Sequence, residues 1–293
     1  MSPDVLLQIT ISGFTTGAIY AIIGLGYVII FKVSGVINLA QGEFVALGGL
    51  AMVTFGMNLN WPLPVAFLAS VVAVTAVGAL MERLAINPAR RTRRAPMARI
   101  LIITIGVSTF IKGAGSVIWG KDYYYLPPFS GNKPIDIAGA TLLPQHIWIL
   151  GSIVIIVGAL GLLFGRTNIG KAMLATAENP DAASLMGINV GAMVLAAFAL
   201  GAALGAVAGL LVAPITFTAY DKGTMIGLKG FVAAAMGGMA SSTWAVGGGV
   251  VLGLAEAFST LAGLSELKDA TSFMVLIVIL VMMSRGMLGK ARI

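Results

Sequence analysis

The sequence predicts an all-α, polytopic membrane protein, and three observations carry that prediction. Only 10% of the 293 residues are charged and 58% are hydrophobic, whereas a soluble domain has about 25% charged residues. The apolar residues fall in runs long enough to cross a bilayer, which takes roughly 20 residues of helix. The 38 glycines suit helices that pack closely inside a membrane. A mean hydropathy of +0.99 agrees with all three.

Read in order, the apolar runs fall at about 5–31, 35–57, 62–84, 98–119, 146–165, 190–213, 245–262 and 270–286. A ninth, at about 228–240, is too short to cross in regular form. It reads as a half-helix or part of a broken span, which is tolerated where it lines a protein cavity. The chain is therefore expected to form one membrane domain, 1–293, of about eight or nine transmembrane segments. The N-terminal MSPDVLLQ lacks the basic region of a cleaved signal peptide, so the first run reads as a retained span.

Arg and Lys set the orientation. The densest cluster is Arg83, Arg90, Arg91, Arg93, Arg94 and Arg99, and its loop is expected to be cytoplasmic. Counting spans puts Lys32, Arg166, Lys171, Arg285, Lys290 and Arg292 on the same side, provided that 228–240 counts as a crossing. Twelve of the 18 basic residues then lie inside, which places the N-terminus outside and the C-terminus in the cytoplasm. The net charge of +7 thus reads as topology anchoring rather than nucleic-acid binding. The segment at about 120–145 falls outside. Its IDIAGATLL stretch suits a small hairpin, and the loop suits docking of an extracytoplasmic partner or a plain connection.

Several chemistries are excluded or disfavoured. There are no cysteines and one histidine, His146, so thiolate chemistry, disulfides and Cys-based metal sites are unavailable, and no metal site is expected. Gly165 to Ala172 fits G-x-x-x-x-G-K, but Ala172 stands where Ser or Thr should hold magnesium, and a span rather than a strand precedes it. The alternative for 165–189 is a helical hairpin at the cytoplasmic surface. One helix runs from Ile169 to Glu178. Asn179, Pro180 and Asp181 have the cap, first-turn and acidic character that starts another, and Gly187 stops it. Leu174, Leu185 and Met186 are apolar knobs on this wet element.

Ionisable groups at membrane depth mark functional sites or buried ion pairs. Glu43 lies near Asn38 and Gln41 in 35–57, Lys112 lies in 98–119 and Glu256 in 245–262. The spacing of Asn38, Gln41 and Glu43 does not fit one helical face, so part of that segment is expected to be unwound or one residue serves packing. Gly201, Gly205 and Gly209 share one face and permit close backbone approach. Phe44-Val45-Ala46 before Gly48-Gly49 resembles Phe231-Val232-Ala233 before Gly237-Gly238, and the span count runs the two in opposite directions. Inverted repeats of this kind occur in transporters.

Four separated stretches then carry a family resemblance. Gly17 to Ala21 and Gly35 to Phe44 form the first. Ala177 to Asn179 with Leu185 to Asn189 form the second, and Gly230 to Gly238 and Gly253 to Glu256 the others. Together they resemble the LivH-type permease subunits of branched-chain amino acid ATP-binding-cassette (ABC) importers, over essentially the whole chain and in order. In that family the part of the first stretch that starts at Asn38 usually reads N-F-A-H-G-E; here Leu39 and Gln41 replace Phe and His. The resemblance leaves the substrate open among branched-chain amino acids, urea, amides and aromatic acids.

It implies a transport subunit in the bacterial inner membrane, not an enzyme. It also implies a second permease subunit in a heterodimer, two cytoplasmic ATPase subunits that hold ATP and magnesium, and an extracytoplasmic substrate-binding protein. No cofactor is expected on this chain. Asn38, Gln41, Glu43 and Glu256 become the expected substrate path. The segment at about 166–189 becomes the coupling element, with Lys171, Glu178, Asn179, Asp181, Leu185 and Gly187 facing an ATPase. Two rivals remain at this stage. An ion-coupled secondary transporter would use Glu43 as carrier, and an intramembrane enzyme is disfavoured by the missing nucleophile constellations.

Overall fold

A computed structural model describes residues 3–91, 97–137, 139–261 and 268–284. The helices are α1 Pro3–Ser34, α2 Gln41–Met52, α3 Leu63–Met81, α4 Asn87–Arg91, α5 Met97–Ile118, α6 Pro144–Arg166, α7 Asn168–Glu178, α8 Pro180–Leu185, α9 Val190–Val212, α10 Lys222–Met236, α11 Ser242–Leu261 and α12 Lys268–Ser284. π-helical turns extend α2 over Val53–Asn58 and join α3 to α4 over Glu82–Ile86. Every apolar run read from the sequence lands on a helix. Among the described residues, six helical segments are long and apolar enough to cross a membrane: α1, the stretch Leu63–Arg90, α5, α6, α9 and α11.

Two expectations needed correction. The run at 35–57 is not a continuous span. Gly35 takes φ +68°, residues 36–40 are not helical, and regular helix starts only at Gln41. Asn38 stabilises the break, because its Oδ1 accepts from the Ala40 backbone N–H at 3.1 Å. The short run at 228–240 is also displaced: its helix is α10, of 15 residues, about 22 Å long at 1.5 Å per residue. It falls short of a bilayer core of roughly 30 Å, as a half-helix should. The hairpin in the outer loop is present, with Ile135–Ile137 (β1) antiparallel to Ala140–Leu142 (β2).

The centre of the molecule is built from α1 and α9, the most buried of the crossing helices. Their neighbours follow a repeated scheme. Helix α1 packs on α11 as α9 packs on α3, and α2 packs on α9 as α10 packs on α1. The two short helices α2 and α10 cross each other directly. The stretches Phe44-Val45-Ala46 and Phe231-Val232-Ala233 therefore sit on elements with equivalent surroundings. Glycine makes these approaches possible. A Cβ at Gly42 would collide with the Gly223 carbonyl, and one at Gly209 with the Val45 carbonyl.

Contacts sort the helix ends into two sides. At one end, Tyr124 and Thr218 exchange backbone hydrogen bonds at 2.9 Å, and the Thr141 N–H donates to Gln8 Oε1 at 2.7 Å. At the other, Lys32, Phe164, Leu174, Ala177 and Ser242 border one cavity of about 170 Å³. The far ends of α1 and α6, helix α7 and the start of α11 thus share a side, as the basic residues Lys32, Arg166 and Lys171 predicted. Arg93, Arg94, Arg285, Lys290 and Arg292 lie outside the described residues.

Candidate functional site

Because residues 36–40 are unwound, the first turn of α2 opens inside the protein rather than at its surface. Glu43 there is 1% exposed. Its Oε1 accepts from Thr224 Oγ1 of α10 at 2.8 Å and from Ser108 Oγ of α5 at 3.0 Å. Lys112 Nζ of α5 stands 3.8 Å from the same oxygen. Glu43 Oε2 has no hydrogen-bond partner.

Gln41 points elsewhere. Its Nε2 donates to the Gly201 carbonyl at 2.8 Å and lies in the space that glycine leaves at Gly26 of α1. Its Oε1 is unpartnered, and so is Asn38 Nδ2. Asn38, Gln41 and Glu43 are therefore neighbours in sequence that face different helices, as their spacing predicted. Five buried side-chain atoms among the described residues lack a partner, and three of them lie in this stretch of six residues. Each such atom costs about 1–3 kcal/mol, so the stretch is not arranged for packing alone.

Glu256 lies in a second cluster. Lys229 Nζ of α10 is 2.8 Å from its Oε1, and Tyr20 OH donates to its Oε2 at 2.8 Å. The Ser272 hydroxyl also bonds its Oε1. Lys229 reaches Asp269 Oδ1 at 2.8 Å as well and sits 5.6 Å from the Tyr20 ring centroid. This network joins α1, α10, α11 and α12. Helix α10 is the shared element, since Thr224 engages Glu43 and Lys229 engages Glu256.

The hairpin after α6 is built by local caps. Thr167 Oγ1 accepts from the Gly170 N–H at 3.0 Å and Asn179 Oδ1 from the Ala182 N–H at 3.0 Å. Asn189 Oδ1 then accepts from Ala192 at 3.0 Å to start α9. Gly187 takes φ +83°, a left-handed stop that suits glycine. Gly170 also has a packing role, because a Cβ there would run into the Leu163 carbonyl. The near-match to a phosphate loop is thus two abutting helices. Met173 and Ala183 are buried, whereas Leu185 and Met186 stand 88% and 83% exposed. Lys171, Glu178, Asn179 and Asp181 are likewise exposed.

Comparison with known proteins assigns this architecture. The family described as "Branched-chain amino acid transport system / permease component" matches residues 9–281. The chain belongs to this family. It is similar to the high-affinity branched-chain amino acid transport system permease protein LivH of Escherichia coli K12, 34% identical over 98% of this chain and 96% of that one. It is 31% identical to the permease protein BraD of Pseudomonas aeruginosa, over 98% and 97% of the two chains. The galactose/methyl galactoside import permease protein MglC of E. coli K12 is 30% identical over 53% of this chain and 49% of its own. The chain is thus a multi-pass permease of the ABC importer class in the bacterial inner membrane.

Sequence reading missed part of the permease's polar interior. Lys229 was a visible signal, a lysine inside a short apolar run, and its burial among two carboxylates was not foreseen. Thr224, Ser108, Tyr20 and Ser272 gave no signal, because single hydroxyls are common in membrane helices and their partners lie far away in sequence.

Proposed function

We propose that this permease subunit moves branched-chain amino acids, or closely related small polar compounds, into the cell, driven by ATP hydrolysis in two separate cytoplasmic ATPase subunits. One observation carries the reading: a partly unsatisfied polar constellation around Asn38, Gln41 and Glu43 lies inside the bundle, in a chain that also presents a rigid, capped hairpin with uncovered apolar knobs. The first supplies polar contacts for a solute at membrane depth. The second supplies what a coupling contact needs, a few apolar anchors within a polar rim. Leu185 and Met186 are the anchors, and Lys171, Glu178, Asn179 and Asp181 the rim, with Gly187 holding the turn between them.

The hairpin side is then cytoplasmic, and so is the C-terminus, while the N-terminus and the 120–145 loop face an extracytoplasmic binding protein. A second permease subunit completes the membrane part as a heterodimer. ATP and magnesium belong to the ATPase subunits and no cofactor to this chain. The choice of branched-chain amino acids rests on the relatives that match along their whole length; the sugar permease matches over half. Affinity purification of the tagged chain from its native membrane tests the assembly. Recovery of two ATPase copies and a second permease per chain supports it, and recovery of the chain alone, in gentle detergent and after lipid-preserving extraction alike, overturns it.

A further inference from the structure

Helices α5 and α6 both leave a long, largely apolar face uncovered by the rest of the chain, and only the α5 face is flanked by a charged group held at membrane depth. On α6 the uncovered side chains include Val154 and Ile155, 71% and 72% exposed, and Leu162, as suits contact with lipid. On α5, Ile102, Phe110 and Val117 are exposed in the same way, and Gly106 and Gly113 have open space where a Cβ would stand, as Gly151 and Gly158 of α6 do. Thr109 is exposed between them and bonds back to its own helix at the Ile105 carbonyl. Beside them, Lys112 keeps 31% of its side chain exposed.

A lysine near the end of a span ordinarily extends toward the closer interface. Lys112 does the opposite. Its Nζ approaches the carboxylate oxygen that Ser108, one turn toward the other end of α5, also contacts. The ammonium is therefore held at depth, partly uncovered. Its 3.8 Å approach to Glu43 contrasts with the 2.8 Å approach of Lys229 to Glu256, so the Lys112 donors are not consumed by a tight pair. Glu43 Oε2 beside it is buried and unpartnered. Exposing a charge to hydrocarbon is costly, so the edge of α5 at Lys112 does not suit a lipid environment.

We infer that the flank of α5 carrying Gly106, Thr109, Lys112 and Gly113 lines a water-accessible translocation path, and that Lys112 and Glu43 together recognise the two charges of a zwitterionic amino acid. Lys112 Nζ meets the solute's carboxylate and Glu43 Oε2 its ammonium group. An uncharged solute such as urea or a sugar offers neither. The inference rests on the import reading above and adds the wall of the path and the charge class of the solute.

Because this chain has no cysteine, labelling read on the tagged chain after its isolation reports the introduced thiol alone. Gly113→Cys, Thr109→Cys and, as the lipid-facing reference, Val154→Cys are introduced singly into the assembled transporter in native membrane vesicles. Gly113 suits the change because a Cβ there meets no atom within 4 Å. The probes are two water-soluble methanethiosulfonates, one carrying a sulfonate and one a trimethylammonium group. The expected result is that both α5 cysteines react, the sulfonate reagent about tenfold faster, while the α6 cysteine does not. Adding Lys112→Gln should abolish that preference and lower uptake of subsaturating leucine about tenfold or more. Cysteines on α5 that stay as inert as the α6 cysteine overturn the path assignment, whether lipid or a partner helix covers them. Reactive cysteines without charge preference, or leucine uptake untouched by Lys112→Gln, overturn the zwitterion contact. ATP-dependent leucine uptake by the same vesicles is scored separately: its absence counts against the import reading, and its presence with inert α5 cysteines counts against this inference alone.

Discussion

Leu185→Asp separates the coupling role of the hairpin from any structural one. Leu185 is 88% exposed in this chain, so the substitution removes almost no internal contact. Surface changes of that kind usually stay within about 0.5 kcal/mol of neutral, and the variant should insert and fold normally. Docked in an apolar groove of an ATPase, the same side chain loses roughly 1.5–3 kcal/mol of burial. Desolvating an unpaired carboxylate in its place adds a cost of roughly several kcal/mol. A combined loss of at least about 3 kcal/mol corresponds to more than a hundredfold in dissociation constant. The assay is titration of the detergent-solubilised permease with its purified ATPase subunits, read as bound fraction, alongside substrate-stimulated hydrolysis in proteoliposomes. Ile135→Asp in the outer hairpin, also at an exposed position, is the control and should bind as the parent does. Full ATPase affinity and full hydrolysis in the Leu185→Asp protein would mean that Leu185 is no anchor and leave the hairpin a surface element of its own bundle.

Glu43→Gln should leave assembly intact and reduce ATP-driven uptake, because it removes the charge that faces Lys112 while keeping hydrogen-bond capacity; normal uptake by assembled Glu43→Ala protein would reduce the residue to packing. Lys229→Met leaves Glu256 buried without its cation, and removing one partner of a buried pair typically costs about 3–5 kcal/mol, so the thermal midpoint in detergent should fall clearly. Combining it with Glu256→Gln should restore part of that loss, and no recovery would mean that the pair is not the source. For orientation, Asn132→Cys should react with an impermeant thiol reagent added outside intact cells, and Ser184→Cys should not; the reverse pattern inverts the topology.

The helices and the hairpin after α6 were legible in the sequence because their causes are local. Apolar runs of helix length need no partner to be recognised, and the Asn179 cap satisfies a backbone N–H three residues away; the caps at Thr167 and Asn189 are as local but were not read. The broken helix was partly legible: the spacing of Asn38, Gln41 and Glu43 signalled a conflict with one face, and the break at 36–40 resolves it. The polar interior was legible only as isolated charges. Glu43 and Glu256 were visible at membrane depth, but their partners come from α1, α5, α10 and α12, across as many as 236 positions of sequence. Nothing local to Gly42 announces that it meets Gly223 and Gly227 where the two short helices cross. Such pairings belong to the assembled bundle.

Import through this chain is proposed to be driven by ATP hydrolysis rather than by an ion gradient. This is tested most directly by reconstituting the purified assembly in liposomes and measuring uptake of labelled leucine with its binding protein added to one side and ATP supplied to the other. The expected uptake requires ATP on the hairpin side, persists when proton and sodium gradients are collapsed, and disappears when the ATPase subunits are left out. Uptake by the permease chain alone, driven by an ion gradient and indifferent to ATP, would contradict it.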